Sequence, residues 1–568
     1  MSISLLIDDN SWWRPDFLRF LEELREAWSA QRKVLSEEEI KWRLRLPLLN
    51  KMAELDPQII EVKGIREALD PRIIWHPRLM FLLRKNIIHN ARGSYVLISV
   101  RGPRRVGKTT MAKLLIGELL LENILDPNKI SPLKVAYIRC DAPWLGGVLG
   151  LTSVIRDFLT RRMDHPGDVY LFLDEVSSLK DWQIAVKDLY DSGFLTKHKV
   201  KTLITGSHSL DVKFGSEVLA LRKGIMLAGG NDKLLLPMKF PEYATYREQI
   251  SEKFVIRDLF THERLLELEK RRGVFKELVE PGAKLPTILE IVEAYINELY
   301  AYFSDYLITG GYALAIAQYI EKGKIDPGVY TGYVDLVIKD AVRWNLNPDT
   351  LHSLLWELLG APGGPYEAVP IKEVSYNGLA RKLGLSHNTV KVYLDYLVEA
   401  FVLHEVTKIK EIPKRKSPLK APRKFYFWDP LIFSAFKALS SGARDPYALA
   451  SEQANRWRCV LAEMAAATNI ANMLMSLEVI QDTSLLRRKM FYHKPEPGKE
   501  IDFLVDFEGK LIPIEVYSGS EVESNHIKKL GRLSRQLKVR GILVYSGKET
   551  HVAEEYIAIP IPIFLLLA

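Results

Sequence analysis

The chain reads as an α/β protein built on a parallel sheet, and three observations carry that reading. Tyr95–Val100 is an apolar run that feeds a glycine-containing loop and then a helical stretch from Thr110. Three further largely apolar runs follow, at Val135–Cys140, Asp168–Glu175 and Lys199–Gly206, with helical patterning between them. Strands apolar on both faces belong to a parallel sheet covered by helices. Two of the runs end in polar groups on their carboxyl side, Asp174-Glu175 and Thr205-Gly206-Ser207, which is the edge where open parallel sheets bind ligands.

The loop itself, Gly102-Pro-Arg-Arg-Val-Gly107-Lys108-Thr109, fits the phosphate-binding pattern G-x-x-x-x-G-K-[ST] at every fixed position. A strand, a glycine loop and a helix N-terminus together present converging N–H groups and a favourable dipole to a triphosphate. The expected ATP contacts are Gly102, Arg105, Gly107, Lys108, Thr109, Thr110 and Ser207. Lys108 reaches the β- and γ-phosphates, and the Thr109 hydroxyl goes to Mg²⁺. Asp174, after four apolar residues, faces the same ion, and Glu175 is placed to polarise the attacking water as general base. Thr205 and Ser207 are both candidates to meet the γ-phosphate or the water.

Length and composition bound the rest. The 568 residues imply about three to five domains. A net charge of +8 is a mild prior for an anionic partner. Cys140 and Cys459 have no metal-type spacing and read as small buried groups in a reducing cytosol. The N-terminus lacks a basic leader, and no run of about 18 apolar residues occurs, so a cytoplasmic protein without a membrane span is expected. The apolar tail Tyr556–Ala568 is expected to be a terminal buried strand. Scarce Gln with abundant Lys, Arg, Glu and Ile is similar to a thermophile's composition.

Five regions are expected. Residues 1–70 are amphipathic helices, with Trp12 and Trp13 as core or docking anchors. Residues 71–245 are the nucleotide-binding core, and 246–345 a helical lid. Residues 346–430 form a small helical unit ending in two strands, and 431–568 a second α/β domain.

Within the fourth region, Tyr376–Leu397 reads as helix, turn, helix, with Gly384 in the turn and Ser386 as the second N-cap. Leu379, Ala380, Leu383, Val390, Leu394 and Leu397 form the apolar faces. Arg381, Lys382, His387, Asn388, Thr389 and Lys391 face outward, where a recognition helix meets bases and phosphates. Phe401–Val406 and Lys424–Trp428 then read as paired strands. Their connection from Lys408 to Lys424 holds eight Lys or Arg against one Glu, including Lys414, Arg415 and Lys416. A basic hairpin after a helix-turn-helix is the wing of a winged helix, and clustered cations bind phosphate by displacing counterions.

The order of glycine loop, Asp-Glu strand and Thr-Gly-Ser strand end resembles AAA+ type ATPases. More closely, the chain resembles archaeal and bacterial P-loop ATPases that carry a winged helix and a C-terminal nuclease-like domain. Leu235–Tyr243, Tyr306–Tyr312 and Phe425–Pro430 complete the matching set. The resemblance implies a ring or other oligomer, a hexamer among the candidates, in which Arg222 completes a neighbour's site. It also covers Glu463, Asp502 and Glu515, which are similar to the carboxylates of PD-(D/E)xK nucleases that ligate Mg²⁺. Where that layout has a lysine, this chain has Tyr517, a phenol that carries no positive charge at pH 7. Lys494, Lys499 and Lys528 are the candidates to substitute for it. The expectation is a Mg²⁺-dependent ATPase acting on DNA, with a nuclease-like domain that does not cleave. Two alternatives remain open at this point: a nucleotide-gated switch for a protein partner, and an active nuclease.

Overall fold

The computed structural model describes residues 6–29, 36–56, 77–206, 209–227, 230–250, 268–359, 373–412, 421–456, 458–476, 483–496 and 500–568. The chain divides into two compact units, Met1–Leu236 and Pro237–Ala568.

The first unit is organised by a five-stranded parallel sheet in the order β2-β3-β4-β1-β5. The strands are β1 Val96–Arg101, β2 Val135–Arg139, β3 Tyr170–Asp174, β4 Lys201–Thr205 and β5 Asp232–Leu234. All of β1, β3 and β4 is buried, as their apolar sequence requires. β1 lies inside the sheet between β4 and β5, and the loop that follows it opens the helix Lys108–Leu125.

The N-terminal segment is built into this unit. β2 is an edge strand, and its outer edge is satisfied by side chains. The Asn10 amide donates to the Tyr137 carbonyl at 2.8 Å and accepts the Tyr137 N–H at 2.7 Å. The indoles of Trp12 and Trp13 both donate to the Val135 carbonyl, at 2.9 and 3.0 Å. An exposed strand edge invites pairing with another chain, and these three residues cover it. The helix Glu37–Leu55 packs on Lys108–Leu125. Its Arg45 grips Glu118 with two hydrogen bonds, 2.7 and 3.1 Å, where both residues are buried. Lys41 pairs with Glu122 at 2.8 Å, and Asp56 pairs with Lys113. Three charged residues on the loop's own helix thus find their counter-charges in the N-terminal segment.

The second unit has a helical part and a nine-stranded sheet in the order β13-β14-β12-β11-β10-β9-β7-β8-β6. Its strands are β6 Glu373–Val374, β7 Leu403–Lys408, β8 Arg423–Phe427, β9 Met490–His493, β10 Ile501–Phe507, β11 Lys510–Tyr517, β12 Gly541–Tyr545, β13 His551–Val552 and β14 Tyr556–Pro560. The expected helix-turn-helix is present as Tyr376–Leu383 and His387–Glu399, with Gly384 between them at φ 65°. Ser375 and Ser386 cap the two helices by accepting the N–H groups of Gly378 and Thr389 at 2.8 and 3.0 Å. β6, β7 and β8 form an antiparallel set in the same sheet.

Two expectations about this unit change. The sheet runs across residue 430, because β7 pairs in parallel with β9 through Thr407↔Phe491 and Lys408↔Tyr492. The C-terminal tail is a strand only to Pro560. It continues as the buried helix Ile561–Leu567, since Pro562 removes a ladder donor yet suits a first helical turn. The cysteines also differ: Cys140 is buried, whereas Cys459 is exposed.

Three motifs far apart in sequence interlock in the second unit. The Gly311 carbonyl accepts the Met238 N–H at 2.9 Å, and the Tyr306 hydroxyl donates to the Met238 carbonyl at 3.2 Å. Asp429 accepts the N–H groups of Gly311 and Leu431 at 2.7 and 2.8 Å. A Cβ on Gly310 would collide with the Asp429 carboxylate, so that turn needs glycine.

Candidate functional site

The carboxyl ends of β1, β3 and β4 converge on one carboxylate. Thr109, the second residue of the loop's helix, donates its hydroxyl to Asp174 Oδ2 at 2.7 Å. The Thr205 hydroxyl at the end of β4 bonds Asp174 Oδ1. Tyr137 on β2 donates to Oδ2 at 2.7 Å. Burial and then the charge of Asp174 push the Tyr137 phenol well above its ordinary pKa, so it stays a donor. Asp174 is itself 3% exposed.

The loop is shaped by its glycines. Gly107 adopts φ 100°, ψ 24° at the N-cap of the helix. A Cβ on Gly102 would overlap the Leu235 carbonyl on the neighbouring chain segment after β5. The buried ammonium of Lys108 donates to the carbonyls of Gly102 and Pro103, 3.0 and 2.8 Å away. Arg105 is exposed at φ 57°, and Thr110 is half-buried. Glu175 sits in the left-handed region at φ 54°, ψ 37°, a conformation that costs a non-glycine residue about 1–2 kcal/mol and clusters at functional sites. Of the expected nucleotide contacts, Ser207 lies outside the described residues.

Arg222 is placed elsewhere. It bonds Asp191 through two nitrogens, 2.8 and 3.3 Å, and its carbonyl accepts the Tyr95 hydroxyl. Tyr95 precedes β1, whereas Gly102 follows it, and the six-residue strand between them spans roughly 20 Å. Arg222 therefore takes no part in the site of its own chain.

In the second unit, Arg381, Lys382, His387, Asn388 and Lys391 are exposed, and Thr389 is half-buried against the Ser386 cap. Lys382 pairs with Glu357 at 2.8 Å. Lys414, Arg415 and Lys416 lie outside the described residues. Three other cations of the expected basic loop turn inward: Lys408 pairs with Glu373, Arg423 with Glu405, and Lys424 with Glu463 and Glu500.

Glu463 lies on the helix Arg458–Ser476, Asp502 on β10 and Glu515 on β11, as expected. Antiparallel pairing of β10 with β11 sets Asp502 beside Glu515, and Asp502 Oδ2 accepts the Val516 N–H at 2.9 Å. Burial, with Glu515 and Glu463 close by, pushes the Asp502 carboxyl well above the usual range. Tyr517 points to Glu523 and packs on His526, 4.3 Å between ring centroids. Lys494 pairs with Glu373 and Glu500. Lys499 is outside the described residues. Among the described residues, the lysines that reach these three acids are Lys424 and Lys529. No sequence signal marks either one, because Lys424 is indistinguishable from the loop cations around it and Lys529 sits on an ordinary amphipathic helix. Tyr137 escapes notice for a similar reason: it lies within an unremarkable buried strand. Among the described residues, no group of three or more His, Cys, Asp or Glu is arranged to hold a metal.

Comparison with known proteins fits the first unit. Residues 94–244 match a family model described as an AAA domain. Residues 300–443 and 474–564 match two domains of unknown function, DUF8612 and DUF4143. No curated protein matches the chain. Solved structures with some likeness include a Walker-type ATPase of Pyrococcus abyssi, at 14% identity and TM-score 0.33, covering 64% of this chain and 96% of that one. The ORC1 protein of Aeropyrum pernix in complex with DNA has 14% identity and TM-score 0.26, covering 66% and 94%. A single-residue variant of the RuvB protein of Thermotoga maritima has 15% identity and TM-score 0.21, covering 58% and 87%. The residues that match the AAA domain model hold the five-stranded parallel sheet and the loop after β1.

Proposed function

We propose that this chain is a Mg²⁺-dependent ATPase that acts on DNA through its second unit. The observation that carries the ATPase reading is the meeting of Thr109, Asp174 and Thr205 beside Lys108 at the carboxyl edge of the sheet. A hydroxyl and a carboxylate are an oxygen donor set that suits a hard cation, so Thr109 and Asp174 would hold Mg²⁺. When bound, the ion neutralises phosphate charge. Main-chain N–H groups from Gly102 to Thr110 would cradle the phosphates, and Lys108 would leave its two carbonyls for the β- and γ-phosphates. Glu175 would take the proton of the attacking water, and Thr205 or Ser207 would orient it. Arg222, remote from its own site and paired with Asp191, would exchange that partner for a neighbour's site in an oligomer.

The DNA reading rests on the capped helix-turn-helix with its exposed Arg381, His387, Asn388 and Lys391, flanked by a three-stranded set in winged-helix order. The C-terminal sheet would serve as a nuclease-like scaffold without cleavage. ATP turnover measured with and without single-stranded, duplex and four-way DNA tests the proposal. Stimulation by one of these forms is expected, and none by any form would refute coupling to DNA.

A second reading, a nucleotide-gated switch for a protein partner, is favoured by one observation. Lys408, Arg423 and Lys424 are committed to internal ion pairs, which thins the charge available to phosphate. Neutralising Lys414, Arg415 and Lys416 separates the two. Loss of DNA binding with ATPase retained supports the DNA reading, and no effect supports the switch. Mg²⁺-dependent cleavage that Asp502→Ala abolishes would establish an active nuclease instead.

A further inference from the structure

The carboxylates that a nuclease centre would offer to a metal are already engaged by the chain's own groups. Lys424 enters from β8, with its side chain 7% exposed. Its ammonium lies 3.2 Å from Glu463 Oε1 and 3.8 Å from Asp502 Oδ1, and it bonds Glu500 Oε1. The Tyr426 hydroxyl, two residues along the same strand, donates to Glu463 Oε1 at 2.7 Å. Asp502 Oδ2 is taken by the Val516 N–H. Glu515 Oε1 is shared between the Lys529 ammonium and His526 Nδ1. Among the described atoms of these acids, Glu515 Oε2 alone is buried without a hydrogen-bond partner. A divalent ion needs several such oxygens at about 2.0–2.6 Å, and the residues as they stand do not fit one.

We propose that Lys424 is the resident cation of this cluster, holding Glu463, Glu500 and Asp502 together without a metal, and that removing it converts the cluster into a divalent-cation site. The reason is electrostatic. Half-buried acids brought together repel one another and call for a compensating positive charge. Lys424 supplies one from a strand that precedes the acids in sequence, so it ties β8 to β10 and to the helix Arg458–Ser476. Without it, Glu463, Asp502 and the spare Glu515 oxygen lose their shared cation, Glu500 keeping Lys494 at 3.2 Å, and the oxygens left over are a set matched to a hard cation. The centre would then be a structural ion-pair knot, and Lys424 would serve folding and not phosphate binding.

Mn²⁺ titrated calorimetrically into the full-length protein, free of nucleotide, tests this. The unsubstituted chain should show no Mn²⁺ site that Asp502→Asn removes. Lys424→Met should gain a site at least tenfold tighter, and adding Asp502→Asn to it should abolish that site. Lys424→Gln, which keeps a hydrogen-bond donor but loses the charge, guards against misfolding of the methionine variant. Its thermal midpoint should rise with Mn²⁺ more than that of the unsubstituted chain. A Mn²⁺ site in the unsubstituted protein that depends on Asp502 would overturn the proposal, as would folded Lys424 variants that gain no site.

Discussion

Asp429 accepts the Gly311 N–H at 2.7 Å, joining two motifs separated by 118 positions in the chain. The carboxylate is fully enclosed, and Tyr306 and Tyr312 lie beside it with phenols that their own burial and its charge push well up. Burial, only partly offset by N–H groups from Gly311, Leu431 and Ile432, lifts the Asp429 carboxyl from 3.8 to about 7.

That value sets a pH dependence. The folded form holds a proton that the unfolded chain releases near pH 4, so the stability from this group is full below about pH 4. It is lost as pH rises through about 7, by up to about 4 kcal/mol. Urea denaturation from pH 4 to 8 should show this fall. In Asp429→Asn, which cannot titrate, the stability gap to the unsubstituted protein should shrink as pH rises.

The phosphate loop gives the next expectation. Lys108→Ala should lower ATP turnover by at least about a hundredfold and weaken nucleotide binding, since Lys108 is the buried ammonium of the loop. Glu175→Gln should keep nucleotide binding and lose turnover by a similar factor, because only proton removal from water is affected. Steady-state hydrolysis beside fluorescent-nucleotide titration distinguishes the two variants.

Gly102→Ala should damage the site without touching a charged residue. The added methyl would overlap the Leu235 carbonyl, a main-chain atom that cannot rotate away. Either β5 or the loop must move. The expected result is weaker ATP binding together with a loss of about 2 kcal/mol or more of stability, read from nucleotide titration and chemical denaturation.

Arg45→Ala should be among the more damaging changes outside the site. It leaves buried Glu118 with Arg84, 3.4 Å from Oε2, in place of the bidentate partner, at a cost of about 3 kcal/mol. Replacing both residues together, Arg45→Met with Glu118→Leu, should recover most of that loss. Thermal unfolding of the single and double variants measures the coupling.

What the sequence disclosed and what it hid divide along range of interaction. The phosphate loop, the Asp174 strand and the two serine-capped helices are local patterns, fixed by a few neighbouring residues, and each is where its pattern placed it. The third hydroxyl on Asp174, from Tyr137, depends on which strands become neighbours, and no local pattern reports that. Lys424 is the sharpest case. In sequence it is the last of a run of loop cations, and only the fold turns it from solvent to Glu463 and Glu500. The final residues show the opposite limit: Pro560 and Pro562 are plain in the sequence, but whether they end a strand or start a helix depends on the space behind them.

The parallel pairing of Thr407 with Phe491 makes the second sheet a shared property of segments that sequence alone would separate at residue 430. Cutting the chain at that point and separating the pieces would leave the backbone groups of β7 and β9 that meet there without their partners. The helix-turn-helix and the C-terminal strands, made as separate pieces, should therefore each be less stable than the whole unit.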